Sequence, residues 1–175
     1  TILIFDQVSY MRSKDLGFKK EQVIILNARA LWESERTIES LKSEFYAVSK
    51  VSSVTLAQTV PGDFSNMANI SYTIEGNHEP FVMRTIFVDH DFISTLGIEL
   101  AQGRDFDDAI ASDTLAYIIN EAAARKWESV DPLNSQLQGN IADLLKGPVI
   151  GITRNFHFAS LHNDIEPLVL AILPD

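Results

Sequence analysis

The sequence has no cysteine, so disulfide bonds, thiolate metal ligands and cysteine nucleophiles are all excluded. It has no run of the roughly 20 apolar residues that a helix needs to cross a bilayer. The phosphate-binding patterns Gly-x-x-x-x-Gly-Lys-Ser/Thr and Gly-x-Gly-x-x-Gly are missing, as is the Gly-x-Ser-x-Gly of hydrolases. We therefore expect a chain that neither binds nor hydrolyses ATP. The lack of cysteine leaves the compartment open, since it suits the periplasm and the cytosol equally.

Basic residues are few and scattered: 14 Lys and Arg stand against 24 Asp and Glu, for a net charge of −10. Nucleic-acid binding needs clustered cations, so this composition argues against a nucleic-acid partner and against adhesion to anionic lipid. With 46% hydrophobic and 22% charged residues in 175 positions, the chain has the composition of a folded protein. Its length suits one domain, or two small lobes that share a core.

The first five residues, TILIF, form an apolar cluster with no initiator Met and no charged signal-peptide region. The cluster is either the last turn of a membrane helix or a buried N-terminal strand or helix, and the residues alone leave both readings open. Apolar spacing predicts a helix over residues 1–16. Gly17 then stands where a left-handed C-cap residue is wanted, and Phe18 supplies the accompanying hydrophobic contact.

A β-α-β unit is predicted over residues 23–62. Residues 23–26, VIIL, have the length of a strand, and Ser34 is placed to cap a helix of about 15 residues. A second strand is predicted over residues 54–56. The apolar positions of the helix recur at intervals of three and four, at Ile38, Leu41, Phe45 and Val48.

The middle of the chain favours strands. Alternating apolar residues over 70–74, followed by a second run over 81–88, predict a hairpin with a long turn. Asp89 or Asp91 is placed to cap a short helix, which Gly97 closes.

Two further strands are predicted, over residues 98–100 and 116–119. Asn120 follows the second of them and is placed to cap a helix over residues 121–127.

Four blocks of the sequence, kept in order, resemble the extracytoplasmic domain of MacB/FtsX-like ABC transporter permeases. The longest, PVIGITRNFHFASLHNDIEPLVL at residues 148–170, is a strand that runs into an aromatic-flanked histidine. The others are KDLGF at residues 14–18, the VDHDF, LGI and GRDF of residues 87–106, and the strand, Asn-Glu, Ala-rich helix and Asp-Pro of residues 116–132. Together they are spread over nearly the whole length of the chain.

The chain departs from the pattern of these permeases at one corner. A glycine commonly follows their Asp-Pro-Ile/Leu, whereas this sequence has Asn134 there. Residues 138–147 are also longer and less regular than the resemblance implies. Both departures put the predicted hairpin at this corner in question.

The resemblance implies an α+β fold of two lobes. A β-α-β lobe, residues 20–62 completed by the C-terminal strand in residues 148–175, would carry an inserted β-rich lobe over residues 63–147. Residues 1–19 would be a stalk helix that continues from a membrane helix.

The resemblance also implies a function outside catalysis. The chain would be a non-enzymatic domain, without cofactor, metal or catalytic residues, on the periplasmic face of the bacterial inner membrane. It would couple ATP-driven motion of membrane helices to export or signalling. Its partners would be a cytoplasmic ABC ATPase, a second permease copy (a homodimer or a paired permease) and a further periplasmic protein, with no nucleic acid. The transported substrate and any ligand-binding residues stay unassigned.

A metal site is one reading of the histidines near the C-terminus. His157 and His162 lie five residues apart, with Asp164 and Glu166 just beyond. Five residues place the two rings on opposite faces of a strand and off the i, i+4 alignment of a helix. Because phenylalanines flank His157, a packed histidine with one hydrogen bond is favoured over a metal ligand.

Other reactive side chains have simpler interpretations. Ser160 lies near His162 in sequence, which says nothing about the geometry of a nucleophilic triad. The crowded carboxyl groups at Asp105, Asp107 and Asp108 are typical of a solvated acidic turn.

Arg104 could clamp an anionic ligand, but in a Gly-x-Asp turn it is expected to pair with a nearby carboxylate, with Phe106 anchoring the turn. Trp32 and Trp127 are either parts of an interaction surface or tryptophans at the rim of the core, and we favour the second reading.

Two other function classes remain beside the permease domain. An extracytoplasmic small-molecule sensor would need a concave apolar pocket with a few converging polar groups. A soluble hydrolase would need a cluster of residues with perturbed pKa values, and no motif supports one.

We expect the isolated chain to be a monomer at micromolar concentration, because dimers of the permeases it resembles depend on their membrane and ATPase parts. Light scattering measures this directly. A stable dimer would contradict the expectation.

Overall fold

The structure, a computed structural model, describes residues 15–27, 38–63, 67–75, 77–127, 131–141, 146–159 and 164–172. The strands are β1 (Ala68–Ile74), β2 (Asn77–Val88), β3 (Leu100–Gly103), β4 (Tyr117–Asn120), β5 (Gln136–Gly139), β6 (Gly147–Thr153) and β7 (Leu168–Ile172). The helices are α1 (Ile38–Tyr46), α2 (Phe92–Leu96) and α3 (Glu121–Ala124), with 3-10 turns at Ala111–Leu115 and Pro132–Asn134.

All seven strands join one mixed sheet in the order β3-β6-β4-β7-β2-β1-β5. The C-terminal strand β7 lies inside it, parallel to β2 on one side and antiparallel to β4 on the other. The first strand of the hairpin, β1, pairs with β5, and β5 pairs in turn with β6. Every strand except β3 therefore belongs to a closed circuit, which we call the strand ring.

The ring has two apolar faces because side chains alternate along each strand. On β2, Met83 and Phe87 belong to one buried cluster and Ile86 and Val88 to the other. The inner core, which fills the ring, consists of Ile70, Tyr72, Ile74, Met83, Phe87, Tyr117, Ile119, Ala123, Trp127, Leu137, Val149, Ile152, Val169 and Ala171. The outer core consists of Ile86, Val88, Phe92, Ile93, Leu96, Ile98, Phe106, Ala116, Ile118, Phe156, Phe158, Leu168 and Leu170.

Two tyrosines inside the ring are shielded from water. Tyr72 and Tyr117 meet edge to face with ring centroids 6.0 Å apart. Burial raises the pKa of Tyr117 to about 12 and raises that of Tyr72 further, although the Thr85 hydroxyl bonds the Tyr72 hydroxyl at 2.8 Å.

The α+β class predicted from the sequence is confirmed, and so is the hairpin. Strands β1 and β2 are antiparallel, but Ile74 already pairs with Asn77, so the turn between them is short rather than long. Gly97 closes α2 in the left-handed conformation, with φ of 61°, as predicted. The predicted hairpin at residues 131–147 is present as the antiparallel pair β5 and β6.

The strands predicted to flank the first long helix are not formed. Residues 23–26 have no strand partner within the described chain, and Ile24 is 84% exposed. Residues 54–56 are likewise not a strand, and the neighbouring bridge of Ala57 to Val88 is isolated. The helix itself is present, and its described part is α1, Ile38–Tyr46. The predicted cap Ser34 lies outside the described residues, as do residues 1–14 of the helix predicted over residues 1–16, whose last two residues are not helical.

Across the described ranges, no helix combines the length and apolar character that a bilayer crossing requires.

Asn120, the last residue of β4, joins this strand to α3 and to β7. Of these contacts, the sequence predicted the cap of α3. Its side-chain oxygen accepts from the backbone N–H of Ala123, 2.8 Å away, and caps α3. The same oxygen accepts from the N–H of Leu168 at 3.0 Å, and the side-chain nitrogen donates to the carbonyl of Glu166 at 2.9 Å. The residue is 1% exposed, so these partners replace water completely. Helix α3 ends at Ala124, three residues earlier than predicted.

Asn120→Ala should lower the free energy of unfolding by about 2–4 kcal/mol, because it removes a helix cap and leaves the buried Leu168 N–H without an acceptor. Urea denaturation followed by circular dichroism measures the change. Asn69→Ala, on an exposed position of β1, is the matched control and should stay within about 0.5 kcal/mol of wild type. Equal stabilities for the two variants would contradict the role given to Asn120.

Candidate functional site

The candidate site lies where the N-terminal segment meets the rest of the fold, the strand ring with α2 and residues 155–158, which we call the body. Residues 15–20, which we call the strap, contain a turn at Gly17, whose φ is 76°. The Asp15 carboxylate accepts from the Gly17 N–H at 2.9 Å and closes this turn. Phe18 packs against the outer core. The left-handed Gly17 and the Phe18 contact therefore agree with the sequence prediction.

The strap contacts two parts of the body. The backbone N–H of His157 donates to the carbonyl of Leu16 over 2.8 Å, and the N–H of Lys19 donates to the carbonyl of Leu96 over 2.7 Å. The two contact points belong to the end of α2 and to residues 155–158. The strap thus bridges elements far apart in sequence.

Gly17 is required at this contact for a steric reason as well. A Cβ atom on Gly17 would lie 2.8 Å from the Cβ and 2.9 Å from the Cα of Phe156. Phe156 is fully buried and meets Phe158 with ring centroids 5.8 Å apart. Because Phe156 is held in a packed core, it has no room to withdraw from a larger residue at position 17.

Residues 155–158 form the body's side of the contact, and they are tied down at both ends. The Asn155 side-chain oxygen accepts from the N–H of Ala122, while the Asn155 N–H donates to the carboxylate of Glu121, each over 3.0 Å. This reciprocal pair satisfies N–H groups at the start of α3. At the other end, the carbonyl of Phe158 accepts from the N–H of Gly62 over 3.0 Å.

Asp89 anchors the helical part of the chain to the sheet. Its carboxylate accepts from the Leu56 N–H at 2.8 Å and from the Thr55 hydroxyl, and it pairs with Lys42 of α1. Burial opposes the charge of Lys42, but hydrogen bonds to Asp89 and Asp91 outweigh it and raise the lysine's pKa.

Sequence reasoning treated Asp89 and Asp91 as helix caps and missed their pairing with Lys42. Asp91 occupies the N-cap position of α2, but its side chain makes no capping bond. No local pattern in the sequence indicates that a lysine on one face of a predicted helix contacts two carboxylates 47 and 49 positions later.

Among the described residues, His157, Asp164 and Glu166 do not form a metal site. Glu166 pairs with Arg84 over 2.8 Å, Asp164 is exposed, and His157 is half-buried. Ser160 and His162 lie outside the described residues. Among the residues that are described, no group of three or more His, Asp or Glu is placed to hold a metal ion.

Arg104 forms the ion pair expected of its turn. Its guanidinium holds both carboxylate oxygens of Asp113, which is 1% exposed, at 2.5 and 2.7 Å. Phe106 is buried in the outer core, and Asp107 and Asp108 are exposed. The arrangement is structural, since the fork of the arginine is already occupied by a buried acid.

The two tryptophans have separate outcomes. Trp127 is 7% exposed and packs inside the ring, so it does not contribute to a surface. Trp32 lies outside the described residues.

No protein-family model matches the chain, and no curated protein matches it in sequence. Solved structures do match in fold. The extracellular domain of the ABC-type transporter YknZ from Gram-positive bacteria has a TM-score of 0.53 at 14% identity, covering 74% of this chain and 59% of that one. A domain of a permease-type protein from Porphyromonas gingivalis has a TM-score of 0.50 at 18% identity, covering 71% and 47%. The periplasmic region of MacB from Actinobacillus actinomycetemcomitans has 0.49 at 15% identity, covering 74% and 53%.

The chain has the fold of a permease extracytoplasmic domain. The resemblance noted in the sequence is therefore confirmed at the level of fold. The chain spans about half to three fifths of the length of these neighbours. Within this fold, the strap and residues 155–158 come from the first and last of the four sequence blocks, and the structure places those blocks in contact.

The Arg104–Asp113 pair makes the stability of the chain depend on pH. The hydrogen bond from Arg104 lowers the pKa of Asp113, so the unfolded chain binds this proton more readily and the pair's stabilisation is lost below about pH 4. Asp113→Asn should cost about 1–2 kcal/mol at pH 7 and flatten the loss of stability between about pH 5 and 2. Urea denaturation at each pH measures both.

Asp105 on the same turn is the matched control, because burial raises its pKa. Protonating Asp105 as the pH falls relieves a destabilising charge, so Asp105→Asn should make the acid loss steeper than in wild type. Parallel pH profiles for the two variants would contradict the assignment.

Proposed function

We propose that this chain is the non-catalytic extracytoplasmic domain of an ABC transporter permease subunit. It couples ATP-driven motion of membrane helices to export or signalling outside the inner membrane. The observation that carries the proposal is the docking of the strap onto residues 155–158 in a domain with the permease extracytoplasmic fold. Motion of the chain that precedes Gly17 reaches the body through this contact.

The chemistry of the contact supports a mechanical role. It consists of backbone hydrogen bonds, a glycine fitted against a buried phenylalanine and a reciprocal bond pair from Asn155 to α3. Such groups transmit displacement because packed interiors have low compressibility. Asp113, a buried acid, pairs with Arg104, and Glu166 pairs with Arg84, so these four charged groups have structural partners.

The same proposal includes the boundaries of the two lobes. Residues 1–19 form a stalk from a membrane helix, residues 20–62 with 148–175 form one lobe, and residues 63–147 form the inserted lobe. Strands of both proposed lobes pair in one sheet, since β7 lies between β2 and β4. The boundary between the lobes therefore crosses paired strands, and we expect the lobes to move together.

The partners follow from the same proposal. They are a cytoplasmic ABC ATPase reached through the full-length permease, a second permease copy and a further periplasmic protein. The domain would lie on the periplasmic face of the bacterial inner membrane. The net charge of −10 is consistent with the lack of a nucleic-acid partner.

The lack of cysteine makes location and motion measurable with one substitution. Val82 is 68% exposed on β2, so Val82→Cys in the full-length permease should react with a membrane-impermeant maleimide in intact cells. Ile118→Cys, at a fully buried position, is the control and should stay unlabelled until the protein unfolds. Labelling of Val82→Cys only after the inner membrane is permeabilised would overturn the proposed location.

The same cysteine tests coupling. Spin labels on Val82→Cys in the full-length permease with its ATPase report the distance between two copies. We expect the distance distribution to shift between nucleotide-free and vanadate-trapped states. An unchanged distribution would overturn the coupling role while leaving the location intact.

A further inference from the structure

We propose that the strap, residues 15–20, is a latch that docks on the body and releases from it as one unit. The contact of Gly17 with Phe156 sets the single position in which it docks. The role of this latch in coupling rests on the proposed function, but the latch itself is a property of the chain alone.

The strap is held weakly compared with the body. Within the described residues, backbone hydrogen bonds join it to other elements at Leu16 and at Lys19, and Lys20 makes a further interaction. Phe18 is only partly buried. Segments with few buried contacts and few bonds open locally, at a fraction of the free energy of global unfolding.

The two ends of the strap are joined to rigid parts of the body. Lys19 is bonded to Leu96 at the end of α2, which is buried on the outer core. Leu16 is bonded to His157, whose neighbour Phe156 is fully buried. The body therefore keeps its shape when the strap leaves, and release occurs at the two hydrogen bonds.

The fit of Gly17 makes docking all or none. A Cβ at position 17 would meet the Cβ and Cα of Phe156 and the carbonyl oxygen of Asn155 at 2.8, 2.9 and 3.0 Å. Because these are backbone and near-backbone atoms of a tied segment, the strap has no second register a residue away. The hydrogen bonds that the Lys19 and His157 amides donate therefore form and break together.

A latch of this kind limits the force that reaches the body. A pull on the chain before Gly17 is transmitted while both hydrogen bonds hold, and the strap lets go before any strand of the ring separates. The permease would then have two states of engagement between stalk and domain.

The test is native-state hydrogen exchange of the chain, read residue by residue by NMR. The amides of Lys19 and His157 should exchange at closely similar opening free energies and much faster than the buried amide of Leu168. Gly17→Ala should accelerate both by the same factor, about tenfold or more, and leave Leu168 within twofold of wild type.

Asn69→Ala is the control. Asn69 is exposed on β1, and β1 supplies none of the outer-core residues on which the strap packs. Exchange at Lys19 and His157 should therefore stay within twofold of wild type in this variant.

Three results would overturn the latch. The amides of Lys19 and His157 could respond to Gly17→Ala by different factors, or exchange only at the rate of Leu168, or be accelerated equally by Asn69→Ala. The experiment contains no membrane and no ATPase, so its failure is separate from a failure of the Val82→Cys experiments.

Discussion

The closure of the strand ring is the constraint on which the rest of the structure depends. Once β5 pairs with both β1 and β6, each ring strand has one side chain in two directed inward, and these side chains fill the ring together with Ala123 and Trp127. The remaining apolar side chains face outward, and they need a cover. The strap, α2 and the phenylalanines of residues 155–158 supply it, because Phe18, Phe92 and Phe156 all pack on that outer face. The contact between the strap and the rest of the domain thus also hides an apolar surface.

Two kinds of contact divide the work in this domain. Asn120 and Asp89 each satisfy several backbone and side-chain groups at once, and they fix elements that are distant in sequence. The strap contact instead has few bonds and one close steric fit. The interior of the domain is therefore held by many bonds, whereas the strap is held by few.

Local features were predictable from the sequence. The left-handed Gly17 and Gly97, the cap at Asn120 and the alternation of β1 all depend on residues within a few positions of each other. The pairing of Arg104 with an acid followed from the chemistry of its turn. The prediction of strands at residues 23–26 and 54–56 was wrong, because an apolar run indicates a preference for burial but does not identify a strand to pair with. Ring closure and the position of β7 depend on pairing over long separations, which no local pattern encodes.

The place of β7 in the sheet has a consequence for biogenesis. The gap between β2 and β4 is filled by β7, residues 168–172, which follows every other strand of the ring in sequence. While the chain is being synthesised, the edges of β2 and β4 that β7 later covers stay unpaired until residues 168–172 have been made. Such long-range closure is slow and leaves strand edges open to wrong partners in the meantime. The ring therefore closes only once β7 is present, and the edges of β2 and β4 are exposed to mispairing before that.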